Sequence, residues 1–264
     1  MKELIQKIMT EMNVSEGLAT VYMTVCGLIL VMAVVCLILE LRVWLRYSKA
    51  NRMGISSRMT GINAARYVLD QAGLQHITVR PAGVLREMFF GNYYNIATRT
   101  IYLRSVLGKI DHNQTVTSMA LGVQKAAITR LCEEGDRQAI TRNRLSLVGL
   151  FGPILFIPVV LIGAVIDCFL MKDITMISYI SLAFGGLLVI VGFIVTLLNI
   201  PVEKKANRLA LEMMKEYGLA DSRELSMMKN VYDAYILSYI AQFILQLLRM
   251  IQWALEIYIK TKKH

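Results

Sequence analysis

The chain has 264 residues, 56% of them hydrophobic, and a mean hydropathy of +0.51. A soluble domain averages about 45–50% apolar residues, so this composition excludes an ordinary soluble protein and indicates an integral membrane protein. The formal net charge is +10. Lysines and arginines that face anionic lipid headgroups explain this excess. No aromatic residues alternate with the basic ones, as stacking on bases would require, so a nucleic-acid partner is not expected.

Three uncharged stretches predict membrane spans, because each exceeds the roughly 18–20 residues needed to cross a bilayer. They cover residues 18–39, 145–166 and 174–200. Basic residues follow the first stretch, precede the second and follow the third, and basic loops stay cytoplasmic. The predicted protein is therefore multi-pass in the cell membrane, with the N-terminus outside and residues 45–145 inside. The segment after residue 200 is also expected inside.

The elements between the first two spans predict a small α+β unit. The stretch "TGINAARYVLDQAG" has helical apolar spacing, with Thr60 as its cap and Gly73 as its end. The stretches "HITVRPAG" and "RTIYLRS" alternate like strands, and "NYYN" between them is predicted to be a turn. A second helix of about 17–20 residues starts near Asn113 or Thr115, and a basic loop follows it.

Beyond the third stretch, a helix is predicted from Pro201 to about Tyr217, ended by Gly218. Residues 232–259 form an apolar helix that either spans the bilayer or packs along it. Spanning would carry the C-terminal lysines outside, against the charge rule, which favours packing. The predicted organisation has five regions: an N-terminal amphipathic segment (1–17), a first span (18–45), the cytoplasmic α+β unit (46–144), a membrane helix hairpin (145–200), and C-terminal helices packing on the unit and the membrane (201–264).

The order of these elements, together with three motifs, resembles the bacterial membrane neutral zinc metallopeptidase family. "TGINAARYVLDQAGL" fits a family pattern T-G-x-x-x-A-R-x-x-L-x-x-x-G-L, and "PVEKKANRLAL" fits P-V-E-F-x-A-S-R-R-A-L. "TRTIYLR" stands where the family has a T-K-T-V-R-L-S-like strand. The resemblance covers about residues 20–250. It implies a mainly α integral membrane protein with about 3–4 membrane helices and a small cytoplasmic α+β, zincin-like unit.

The family's chemistry resides in an H-E-x-G-H motif on the helix after the second strand. Histidines at positions i and i+4 bind zinc, and the glutamate acts as the general base for the bound water. In this chain the same place reads "SMALGVQKAAI", with Leu121, Gly122 and Lys125 at the three functional positions. No histidine occurs between His112 and His264. These positions are therefore expected to form a degenerate metal site that holds no cofactor, and restoring the three motif residues is expected to revive zinc binding if the backbone stays in place.

Glu203 keeps the place of the family's third metal ligand, in the P-V-E motif. Its simplest interpretation is an acidic residue in the first turn of a helix that opens at Pro201, where the helix dipole favours it. A more specific alternative pairs Glu203 with Lys125 in the former metal site. An intact zinc site is the third alternative.

Two functions from different classes follow from this pattern. The first is a non-catalytic homologue that serves as a structural or regulatory subunit of a membrane complex. Its partners would be the lipid bilayer and either further copies of itself, an active paralogue or another membrane protein. The second is an active zinc-dependent peptidase with displaced ligands. A transporter or channel lacks support, because the central stretches of the three predicted spans carry no charge.

Overall fold

The computed structural model describes residues 6, 9–10, 15–106, 109–110, 112–171 and 176–261. The amphipathic segment predicted for residues 1–17 lies largely outside this range. The elements, in chain order, are α1 (Glu16–Asn51), α2 (Gly61–Gln71), β1 (Thr78–Ala82), α3 (Val84–Phe90), β2 (Tyr93–Asn95), β3 (Thr100–Arg104), α4 (Val116–Glu133), α5 (Arg137–Arg144), α6 (Ser146–Ile166), a π-helical turn (Asp167–Met171), α7 (Met176–Glu216) and α8 (Ser222–Thr261).

Three described helices are long and apolar enough to cross a membrane: Glu16–Asn51, Met176–Glu216 and Ser222–Glu256. The first predicted stretch lies within the first of these helices, and residues 176–200 of the third stretch lie within the second. The second predicted stretch forms α6, which contributes to a shorter apolar helix, Ile154–Phe169. The length and composition of α8 also fit the spanning alternative for the C-terminal segment.

The chain divides into two compact units, Met1–Trp44 with Leu237–His264, and Leu45–Ile236. In the first unit, polar side chains link the first and last long helices. The Ser238 hydroxyl donates to Glu40 at 2.5 Å, and the Tyr22 hydroxyl donates to Glu256 at 3.0 Å. Hydrogen bonds of this kind commonly hold membrane helices together.

The second unit contains a three-stranded sheet in the order β1-β3-β2. Strand β3 pairs in parallel with β1 and antiparallel with β2. The predicted alternation of β3 is confirmed, because Ile101 and Leu103 are both fully buried in the core. The turn predicted for "NYYN" is wrong: Tyr93–Asn95 form the edge strand β2, and Tyr93 stacks on Tyr102 across the pair at 5.1 Å.

The two helices predicted for this unit are confirmed, and each has a threonine cap. Thr60 accepts a hydrogen bond from the Asn63 backbone at the start of α2, and Thr115 accepts one from Ser118 at the start of α4. Such caps satisfy amide groups that the first helical turn leaves unpaired. The basic loop predicted after α4 is instead helical, because Asp136 caps α5.

Helices α2 and α4 approach each other at two glycines. A Cβ atom on Gly122 would lie 2.2 Å from the Gly61 carbonyl oxygen, and one on Gly61 would lie 2.3 Å from the Ser118 carbonyl oxygen. Backbone atoms cannot yield as side chains do, so neither position has space for a side chain. This contact fixes the position of α2 against the helix that carries the candidate site.

Helices α6 and α7 pack against each other over the residues for which a membrane hairpin is predicted. Small residues allow the close approach expected in membranes: a Cβ on Gly185 would meet Phe156 at 2.8 Å, and one on Gly152 would meet the Leu188 carbonyl at 2.7 Å. The predicted helix start at Pro201 is wrong, because α7 continues through this residue. The predicted helix end is confirmed, since α7 stops at Glu216 before Gly218, which has a positive φ of 62°.

Candidate functional site

Glu203 lies in the interior of α7 and is only 2% exposed. Its interpretation as an acidic residue in the first turn of a helix is therefore wrong, because the N-terminus of α7 is far from it along the chain. A buried carboxylate needs compensating partners, since removing its charge from water is costly. Its surroundings consequently define the candidate site.

Three side chains surround the Glu203 carboxylate. The Gln124 amide donates to Oε2 at 2.7 Å, the Arg142 guanidinium donates to Oε1 at 3.1 Å, and the Lys125 ammonium lies 3.7 Å from Oε1. The Gln124 amide also donates to Asn207 Oδ1 at 2.6 Å. We name these five residues the Glu203 cluster. The cluster contains the Lys125–Glu203 ion pair that the sequence offered as one alternative.

Helices α4 and α7 each contribute two side chains to the cluster, and the spacing of these residues along the helices places them on the facing sides. On α7, Glu203 and Asn207 are four residues apart and therefore share a face. Helix α4 brings Gln124 and Lys125 against that face, and both are buried.

Two polar contacts hold α5 along α7 and so position Arg142. Asp136 accepts from the Lys205 ammonium at 2.8 Å near the start of α5. Near its end, Arg142 Nε donates to Asn199 Oδ1 at 2.7 Å while the same guanidinium reaches Glu203. The hydrogen bond from Lys205 is the main cause that holds the pKa of Asp136 below its ordinary value.

The ionised cluster carries an excess positive charge, because two cations face one carboxylate. Burial lowers the pKa of the Lys125 ammonium below its ordinary value. The Glu203 carboxylate acts in the opposite direction, and Arg142 adds to the lowering. Burial thus disfavours the charged form of Lys125.

The residues around Glu203 do not fit a zinc ion. Arg142 and Lys125 both present positive charge to the carboxylate oxygen that a metal would use, and Gln124 donates to the other oxygen. Zinc sites in proteins are built from Cys, His, Asp and Glu ligands. In the described part of the chain, no group of three or more such side chains is placed to hold a metal ion.

Leu121 and Gly122 stand at the other two positions that the resemblance assigns to zinc chemistry. Leu121 is partly buried and packs against the apolar core. Gly122 faces the backbone of Gly61, as described above. A side chain at position 122 would therefore require α2 to move. The expectation that restoring the three motif residues revives zinc binding, which assumed that the backbone stays in place, remains a prediction.

Three members of the cluster escaped the sequence analysis as functional residues. The sequence indicates Arg142 only as a basic residue beside a predicted span, and its contact with Glu203 depends on helix α5, which the sequence does not predict. Gln124 lies among the residues aligned with the zinc motif but at a position to which the motif assigns no function. The sequence pattern points to Asn207 only through its spacing of four residues from Glu203. Tyr232 of α8 is buried and donates to the Ala120 carbonyl of α4 at 2.5 Å.

One cavity adjoins the cluster at Arg142, and a second, larger cavity shares lining residues with the first. The smaller one, of about 250 Å³, is lined by Arg142 and Asn199 and extends to Tyr93. The larger one, of about 620 Å³, runs along the edge strand β2 and is lined by residues from several elements: Arg86, Phe90, Tyr93, Tyr94, Asn95, Ile96, Ala97, Asn143, Arg144 and Ser146. A space of this size is typical of ligand sites in proteins.

Comparison with known proteins gives one family. The model of the family described as "putative neutral zinc metallopeptidase" matches residues 25–257. Neither a curated protein nor a solved structure matches the chain. Since the match covers most of the sequence, the chain belongs to the neutral zinc metallopeptidase family of that description.

Proposed function

We propose that this chain is a non-catalytic member of its family, which acts as a structural or regulatory subunit of a membrane protein complex. The observation that carries this proposal is the occupation of Glu203 by Lys125, Arg142 and Gln124. In the proposed alignment, Leu121, Gly122 and Lys125 replace the first histidine, the general base and the second histidine. The ammonium of Lys125 then takes the place of a positively charged metal beside Glu203.

The packing of Gly122 supports the same conclusion independently of the charges. The general base of a zinc peptidase must reach the metal-bound water. The backbone of α2 leaves no space for a side chain at position 122. In this proposal, the scaffold has closed the catalytic position as well as lost its ligands.

The cavity along β2 supports a role in binding. An edge strand has unpaired backbone groups that can pair with an extended segment of another chain. The cavity of about 620 Å³ lies beside this strand and shares residues with the smaller cavity at Arg142. The proposed subunit would contact its partner through this unit and through the membrane helices together. The α+β unit, residues 46–144, would face the cytoplasm.

The size of the intact membrane particle tests the proposed assembly. The protein would be extracted in several mild detergents and its mass measured with bound lipid and detergent subtracted. The proposal predicts a particle containing further copies of the chain or a second membrane protein. A single chain of 29.8 kDa in every detergent would contradict it.

The alternative of an active peptidase with displaced ligands predicts a different result. It requires peptide hydrolysis that a chelator abolishes and zinc restores. The full-length protein and a Glu203→Gln variant would be assayed together on a mixed peptide library. Hydrolysis that is chelator-sensitive in the wild-type protein and absent from the variant would establish this alternative and refute the non-catalytic proposal.

A further inference from the structure

Helix α3 buries its acidic residue, Glu87, and exposes most of its apolar residues, while its basic residue Arg86 is also exposed. Glu87 is 1% exposed, whereas Leu85 is 73% exposed and Met88 is 64% exposed. Val84 and Phe89 are also about half exposed. This is the reverse of the pattern of a helix on the surface of a soluble domain, whose apolar face is turned to the core.

Glu87 holds this orientation in place. Its Oε2 atom accepts backbone hydrogen bonds from Ser105 at 3.1 Å and from Val106 at 2.8 Å, in the segment that follows β3. A buried carboxylate that accepts two backbone amides resists rotation, because turning the helix would leave the charge unpaired. The outward position of Leu85 and Met88 is therefore built into the fold.

The apolar face of α3 continues onto a membrane helix. The Phe89 and Phe90 rings each lie 6.0 Å from the ring of Phe151, which belongs to α6. Phe151 is five residues beyond Ser146, which corresponds to about 7–8 Å along the helix axis at 1.5 Å per residue. The headgroup region on each side of a bilayer is about 5–8 Å thick. If Ser146, near the start of the uncharged stretch, marks the outer edge of the headgroup region, Phe151 would lie where headgroups meet acyl chains.

Two arginines mark the same level. Arg86 of α3 and Arg144, which ends α5 just before α6, line the same cavity. Arginine side chains at the ends of membrane helices reach the headgroups while their carbon stems stay in apolar surroundings. Helix α3 therefore lies beside the first turns of α6, together with two arginines that could reach lipid headgroups.

We propose that α3 is an interfacial membrane helix, which inserts Val84, Leu85, Met88 and Phe89 among the lipids beside α6. The α+β unit is then held against the bilayer at its sheet edge as well as by its spans. The mouth of the cavity beside Arg86 and Arg144 consequently opens at the headgroup level. This arrangement does not depend on whether the protein binds zinc.

An environment-sensitive fluorophore on α3 tests the insertion. The full-length protein would carry a single cysteine, in a background with the four natural cysteines replaced by serine, and would be labelled with the fluorophore NBD in phosphatidylcholine vesicles. Met88→Cys is the test site, Gln71→Cys at the exposed end of α2 is the aqueous control, and Ile154→Cys on α6 is the membrane control. The vesicles would contain lipids with nitroxides at shallow or deep positions.

The proposal predicts emission at position 88 that is shifted to the blue relative to position 71 and is quenched at least twofold more by shallow than by deep nitroxides. Position 154 should be blue-shifted and quenched by nitroxide lipids. Emission and quenching at position 88 equal to those at position 71 would overturn the proposal. A blue shift without quenching by either lipid would also overturn it, because protein rather than lipid would then cover the face.

Discussion

At the scale of single residues, the Glu203 cluster contains two cations and one carboxylate, and this unequal charge should determine how substitutions in the cluster change stability. The carboxylate has three donors or cations within reach, and removing it would leave the buried Lys125 and the half-buried Arg142 without a counter-charge. Removing one partner of a buried ion pair destabilises a protein by far more than the intact pair stabilises it, because the other charge is left buried and unpaired. The two sides of this cluster should therefore respond differently to substitution.

We expect Glu203→Gln to lower the free energy of unfolding by about 3–5 kcal/mol, because Lys125 and Arg142 lose their shared anion. Lys125→Met should change it by less than about 1 kcal/mol, since Glu203 stays paired with Arg142 and an apolar chain of similar length fills the space. Denaturant unfolding of the detergent-solubilised protein measures both. Equal losses in the two variants would show that the excess charge has no energetic consequence.

The pH dependence of stability should carry the signature of Lys125. Its pKa is lower in the folded chain than in the unfolded chain. Between these two values the unfolded chain binds more protons, so the contribution of this group to stability rises with pH. The pH range over which stability rises ends near the ordinary lysine pKa of about 10.4. From pH 7 towards pH 10, the wild-type protein should gain stability relative to Lys125→Met in thermal unfolding. A constant or falling difference would argue against a destabilised ammonium.

At the scale of elements, the sequence predicts the features that depend on neighbouring residues, namely the helix caps and the alternation of a strand. Thr60 and Thr115 are side-chain caps whose effect lies within one turn, and both helices begin where these residues indicate. The alternation of β3 follows from burial on one face. Such features need no knowledge of distant contacts.

The elements that the sequence analysis missed depend on distant partners. Most apolar residues of α3 are exposed, so the spacing of its apolar residues does not predict a helix that packs on the core. Strand β2 is only three residues long and forms through its pairing with β3. Helix α7 continues through Pro201 because the loss of one backbone hydrogen bond kinks a long packed helix without necessarily ending it. The partners of Glu203 were out of reach for the same reason, since Arg142 and Gln124 come from two other helices.

The close approach of α2 and α4 gives a prediction at this scale. Gly122→Ala places a methyl group 2.2 Å from the Gly61 carbonyl oxygen. Overpacking of this kind costs typically about 1–3 kcal/mol. Gly186→Ala is the matched control, because a Cβ there meets nothing within 4 Å. Thermal unfolding in the same detergent should show a loss for the first variant only; two unaffected variants would mean that α2 is free to move away.

At the scale of the whole molecule, we expect a fixed orientation in the membrane. Basic residues flank the spans on the predicted inner side, whereas the sequence around Asp173 is nearly neutral. Single cysteines at Thr60 and at Asp173, in a cysteine-free background, should react with an impermeant maleimide from opposite sides of sealed vesicles. Labelling of both positions from one side would refute this topology.

The central claim is that Glu203 is held by side chains of the chain itself rather than by zinc. The most direct measurement is the zinc content of the full-length protein, purified without chelator from cells grown with added zinc, beside the Glu203→Gln variant. We expect far less than one zinc per chain in both proteins and no difference between them. Near-equimolar zinc in the wild-type protein, lost in Glu203→Gln, would show that Glu203 binds zinc and would contradict this expectation.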